Sequence, residues 1–82
     1  MIDISEHARE EMIASDISEE DLKACLEHGE REIKQIVDGE TRYGNKLICK
    51  DKIIMTIYTY RGNDIRIITC YPIWRKRTWE NK

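Results

Sequence analysis

The sequence predicts an α+β domain in which two N-terminal helices pack on one face of a four-stranded antiparallel sheet. Three observations predict it. Helix-cap residues with apolar positions at helical spacing are confined to the stretch before Gly29. After Gly29, alternation of period two takes over, carried by β-branched and aromatic residues. The turn-forming pairs Asp38-Gly39, Asp51-Lys52 and Gly62-Asn63 then divide that stretch into four runs. The chain has 82 residues, enough for one domain over 1–82 and too few for a second core.

Ser5 is placed to cap a first helix reaching about Ala14, with Ala8, Met12 and Ile13 as its buried stripe. Ser18 caps the second helix. Asp21 stands three residues on, where a capping box has its acidic partner, and Ile17 and Leu22 bracket the cap as a hydrophobic staple. Glu19, Glu20 and Asp21 meet the positive end of the helix dipole. Leu22, Cys25 and Leu26 form the apolar face, and Gly29 is expected as a left-handed cap.

Ile33 to Val37 reads as the first strand and Arg42 to Lys50 as the second, broken or bulged near Gly44-Asn45. Ile53 to Tyr60 and Ile65 to Tyr71 carry the strongest strand composition. A two-residue Gly62-Asn63 loop pairs Arg61 with Asp64, Tyr60 with Ile65, Tyr58 with Ile67 and, carried onward, Thr56 with Thr69. Side chains alternate across a strand, so this register sorts the faces. Ile53, Met55, Ile57, Ile68 and Cys70 form a nearly aliphatic set, expected to face the helices. Tyr58, Tyr60, Tyr71, Thr56 and Thr69 fall on the other face. They are expected to form a stacking surface for unpaired bases, a dimer interface or a surface covered by the tail from Trp74 to Trp79.

Composition narrows the function classes. No run approaches the ~20 apolar residues of a membrane span, and the acidic start Met-Ile-Asp-Ile-Ser-Glu lacks the basic and apolar regions of a signal peptide. Three cysteines without a CxxC pair read as packed free thiols of a cytoplasmic protein. Two histidines and no Cys/His cluster argue against a metal site, and no cofactor motif is present. The net charge of −2 conceals a split: eleven acids against three bases in residues 1–32, then five against eleven in 33–82. The basic part suits phosphates or an acidic partner.

His7, in the first helical turn, is a candidate general base on a ribose hydroxyl, although a lone His is more often a plain surface residue. Arg42, Arg61 and Arg66 are candidate phosphate contacts, and Arg75-Lys76-Arg77 is a short basic patch. Tyr58, Tyr60, Arg66, Arg75 and Arg77 make up the RNA-binding candidates.

Four pieces carry a family resemblance: His7-Ala8-Arg9, Ile17-Ser18-Glu19-Glu20-Asp21 with Gly29, Arg42-Tyr43-Gly44, and Ile67-Ile68-Thr69-Cys70-Tyr71. In this order and spacing, over roughly residues 5–72, the chain resembles a family of small uncharacterised prokaryotic proteins related to the RelE/BrnT-like toxin superfamily. The resemblance implies a RelE/barnase-like form of the predicted fold. It also implies metal-independent RNA cleavage of the kind found in toxin–antitoxin systems, in which the 2′-hydroxyl attacks the adjacent phosphate. In that scheme His7 is base or acid, Arg42 clamps the phosphate, and Thr69 and Tyr71 orient RNA or donate protons. The implied partners are RNA, including mRNA on the ribosome, an antitoxin protein and a second copy of the chain. The alternative is a non-catalytic protein-interaction or RNA-binding module of the same fold.

Overall fold

The computed structural model of the protein describes residues 1–75, with side chains to Ile73. In chain order the elements are β1 (Ile2–Ile4), α1 (Glu6–Ala14), α2 (Glu19–His28), β2 (Glu30–Val37), β3 (Glu40–Ile48), β4 (Lys52–Arg61) and β5 (Asp64–Arg75). The sheet has five strands in the order β1-β5-β4-β3-β2. It is mixed rather than wholly antiparallel, which corrects the four-stranded expectation: β1 lies parallel to β5, with Ile2 opposite Ile65 and Ile4 opposite Ile67. A three-residue strand is too short for alternation to announce it. Its apolar pair, Ile2 and Ile4, packs against the core. No described helix is long and apolar enough to cross a membrane.

Both helices form where their caps place them. The Ser5 hydroxyl accepts from the Ala8 amide at 3.0 Å and donates to the Ile68 carbonyl at 3.1 Å, tying the start of α1 to β5. The capping box of α2 is complete, with Ser18 and Asp21 each bonding the other's backbone amide. Two expectations fail. Ile13 is 75% exposed, so α1 buries only Ala8 and Met12. Gly29 has φ −72° and ψ 164°, an extended conformation that sends α2 directly into β2. A glycine is needed there for space, because a Cβ would come within 2.8 Å of the Lys46 carbonyl oxygen and closer still to that of Cys25.

The Asp38-Gly39 turn has φ 52° and 80°, the doubly left-handed form that suits a hairpin, and Gly62 at φ 63° opens the β4–β5 turn. The β4–β5 register is the expected one from Arg61–Asp64 to Tyr58–Ile67. Beyond Ile67 an extra residue, Ile68, is inserted, and the ladder resumes with Ile57 opposite Thr69 and Thr56 opposite Cys70. The irregularity expected near Gly44-Asn45 lies across the ladder instead, in β2 between Arg31 and Ile33, while β3 runs through unbroken.

The expected sidedness is inverted along β4. Ile54, Thr56 and Tyr58 are buried, and Ile54 and Tyr58 join Ala8, Met12, Leu22 and Cys25 in the core. The more aliphatic set, Ile53, Met55 and Ile57, occupies the face away from the helices, here called the open face. Polar tips do not keep the tyrosine side out of the core, because their partners are inside it. The Tyr58 hydroxyl donates to Asn45 Oδ1 at 3.0 Å, and Thr56 Oγ1 lies 3.4 Å from Cys70 Sγ.

Candidate functional site

On the helix side of the sheet, α1 packs over β5 and α2 over β3 and β4. Toward the hairpin tips this face carries an exposed ledge. Tyr43 and Tyr58 are cross-strand neighbours whose ring centroids lie 5.7 Å apart. Tyr60 meets them at 5.6 and 5.8 Å with interplanar angles of 69° and 85°. Tyr58 is buried, Tyr43 is half-buried and Tyr60 is 52% exposed, so the trio grades from core to surface. Lys34 lies directly across the β2–β3 ladder from Tyr43. Arg31 pairs with Asn45 and extends back over Tyr43, its guanidinium carbon 4.3 Å from the ring centroid.

The ledge is anchored from beneath. Arg31 donates to the Tyr58 hydroxyl at 3.5 Å, Tyr58 donates to Asn45 Oδ1, and Asn45 Nδ2 donates to the Cys25 carbonyl at the end of α2 at 3.4 Å. The Tyr58 hydroxyl pushes the Arg31 pKa further above its ordinary value, so the guanidinium stays charged. Beside the ledge the β3–β4 ladder ends at Arg42–Thr59. A shallow depression of about 360 Å³ opens there, lined by Gly39, Glu40, Thr41, Tyr43, Thr59 and Tyr60. Two of the lining residues are tied together, the Thr59 hydroxyl donating to the Thr41 carbonyl at 2.7 Å.

The residues singled out from the sequence are divided between two surfaces. His7 is exposed on α1, beside Glu10 and Glu11. Arg42 alternates with Tyr43 and therefore belongs to the open face, so the sheet separates it from His7. Arg66, Thr69 and Tyr71 share the open face with Arg42, opposite Thr59, Ile57 and Met55. Tyr58 and Tyr60 lie on the helix side. Arg75 ends β5 opposite Lys52, with its side chain outside the described residues, and Arg77 and Trp79 lie outside them altogether.

The open-face cations each have a carboxylate close by. Arg42 Nε lies 3.2 Å from Glu40, which also receives Arg61 at 3.5 Å, and Lys46 lies 3.2 Å from Glu32. Arg66 pairs with Asp3 across the parallel β1–β5 ladder. Arg31 and Lys34 form no ion pair with any described carboxylate.

Sequence reasoning missed Arg31 and Lys34. The Asp38-Gly39 turn already sets Lys34 opposite Tyr43, so that placement was readable. Arg31 was not, because strict alternation from Ile33 turns it to the open face, and only the extra residue Glu32 brings it to the helix side. At the three cysteines burial disfavours the reactive thiolate form. Burial raises the pKa of each, that of Cys70 to about 11. Among the described residues no group of three His, Cys, Asp or Glu side chains is placed to hold a metal ion.

No curated protein and no solved structure gives a significant match to this chain. One family does: residues 4–72 match the family described as a domain of unknown function, DUF4258, and a match over that much of the sequence makes the chain a member of it.

Proposed function

We propose that this protein is an RNA-binding module that holds its ligand on the ledge of Arg31, Lys34, Tyr43 and Tyr60, without cleaving it. One observation carries the reading: two cations with no described carboxylate partner flank a tyrosine cluster whose outermost ring is exposed. Aromatic rings beside cations are what nucleic-acid recognition requires, since rings stack on bases and cations hold phosphates.

Charge decides between the ledge and the open face. The Arg42–Glu40 pair is half-buried at the surface and open to solvent competition, so phosphate could displace the carboxylate. The displaced carboxylate would nevertheless remain beside the phosphate and repel it. Arg31 and Lys34 bring no such neighbour, and a guanidinium exchanging a ring face for a phosphate gains a charge-assisted, bidentate bond. The outer surfaces of the helices carry Glu6, Glu10, Glu11, Glu19, Glu20 and Glu27, which steer phosphates away from His7. The expected resemblance to the RelE/BrnT-like toxins, which rests on short sequence pieces alone, agrees with RNA as the ligand. The wide separation of His7 and Arg42 argues against 2′-hydroxyl attack catalysed by that pair.

The test is a titration of end-labelled RNA with the purified protein over a range of salt, followed by a denaturing gel. Each phosphate contact on a single strand contributes a slope of about −0.7 in log K against log salt, so Arg31→Ala and Lys34→Ala should each flatten the slope by about that amount. The RNA should stay intact. Discrete cuts that vanish in His7→Ala would overturn the non-cleaving reading, and salt-independent or absent binding would overturn the RNA reading itself.

A further inference from the structure

We infer that the ledge selects unpaired over duplex RNA by stacking one base on Tyr60, while Arg31 leaves Tyr43 to hold the adjoining phosphate. The inference rests on the RNA-binding reading above and specifies its ligand.

The rings of the trio differ in what they can offer. Tyr58 is 3% exposed and fixed through Asn45 to the end of α2, so it is a foundation and not a contact. Tyr43 is half-buried and has Arg31 over its face. Tyr60 is the outermost ring, and both neighbours meet it at steep angles, so no ring lies parallel upon it. It is therefore the position for a single base.

The surroundings fit one nucleotide. The depression beside Tyr60 receives the rim of the base or its sugar, between the Gly39–Thr41 and Thr59–Tyr60 segments. Arg31 and Lys34 lie on the β2 side of the trio, where the backbone of a strand stacked on Tyr60 would leave the site. Arg31 rests on the Tyr43 ring, so its planar guanidinium is already held near its working position. A duplex keeps its bases stacked internally and presents only grooves and phosphates, so it cannot use Tyr60. It could reach the two cations, which alone give weak, sequence-independent contact.

The experiment is a fluorescence-anisotropy titration at fixed low salt. The probes are a labelled mixed-sequence RNA 12-mer and the same strand annealed to its complement. Wild-type protein should prefer the single strand by at least about tenfold. Tyr60→Phe keeps the ring and should bind like wild type, whereas Tyr60→Ala should lose roughly 5- to 150-fold on the single strand, the range expected for one stacked base. Tyr60→Ala should leave duplex binding unchanged. Tyr60 is exposed, and a circular-dichroism melt would confirm that both variants fold. Equal affinity for the two probes, or a single-strand affinity indifferent to Tyr60→Ala, would overturn the stacking inference while leaving the RNA reading intact. Failure of both probes to bind would overturn that reading, and the inference with it.

Discussion

Arg31 sits over the ring of Tyr43, with its guanidinium carbon 4.3 Å from the ring centroid and its Nη2 3.5 Å from the Tyr58 hydroxyl. One side chain thus touches two of the three tyrosines. A planar cation can rest on a ring and donate from its edge at once, and a lysine ammonium cannot. In RNA titrations at fixed salt, affinity should therefore fall in the order wild type, Arg31→Lys, Arg31→Ala. An Arg31→Lys protein indistinguishable from wild type would show that charge alone matters at this position.

Tyr58→Phe removes the donor to Asn45 Oδ1 within the core. The ring is preserved, so the main effect is a buried acceptor without a partner, which costs ~1–3 kcal/mol. A urea denaturation midpoint would report it. An unchanged midpoint would mean that Asn45 finds another donor.

Gly44 and Gly29 are both held by space. A Cβ on Gly44 would lie 2.9 Å from Ile33 Cβ and 3.0 Å from Ile57 Cδ1, side-chain atoms that can shift a little. Gly44→Ala should cost ~1–3 kcal/mol. A Cβ on Gly29 meets backbone carbonyls, which cannot yield without parting α2 from β3, so Gly29→Ala should cost more than Gly44→Ala. The two denaturation midpoints, measured side by side, test that order.

Asp16 follows α1 with φ 58°, where the Ile17 amide bonds back to the Met12 carbonyl at 2.8 Å. That left-handed position after a helix is usually filled by glycine. Asp16→Gly should accordingly stabilise the protein by ~0.5–1 kcal/mol, read as a higher melting temperature.

Burial raises the Cys70 thiol from 9.0 to about 11. Between these values the unfolded chain has released the proton and the folded chain keeps it. The unfolded state then binds fewer protons, and stability falls as pH rises. The contribution is complete below pH 9 and lost through pH 11, on the order of 2–3 kcal/mol for two units. Urea midpoints from pH 8 to 11 should decline more steeply for wild type than for Cys70→Ala. Parallel declines would assign the alkaline loss to other groups.

Local signals were legible in the sequence. Ser18 with Asp21 announced α2, and Gly62-Asn63 set the register of β4 on β5 as far as Ile67. What was not legible depends on single inserted residues and on partners distant in sequence. Ile68 and Glu32 each shift a ladder by one place, and nothing in their composition marks them as extra. The sidedness of β4 was misjudged because Tyr58 and Thr56 read as surface residues until Asn45 and Cys70 supply their bonds. For the same reason the site was half visible: Tyr60 stood out as an aromatic strand residue, while Arg31 depended on a bulge.

The insertion at Ile68 gives β5 two opposite parities. Before it, the odd-numbered Ile65 and Ile67 point toward the helices; after it, the even-numbered Cys70 and Pro72 share the side of Thr56 and Ile54. The strand therefore changes reading frame at Ile68, and a second shift between Pro72 and Trp74 changes it again. Forcing Ile68 into the pairing, instead of leaving it extra, would act as a frameshift written in space: Thr69 and Tyr71 would turn inward and Cys70 outward, with no letter of the sequence altered.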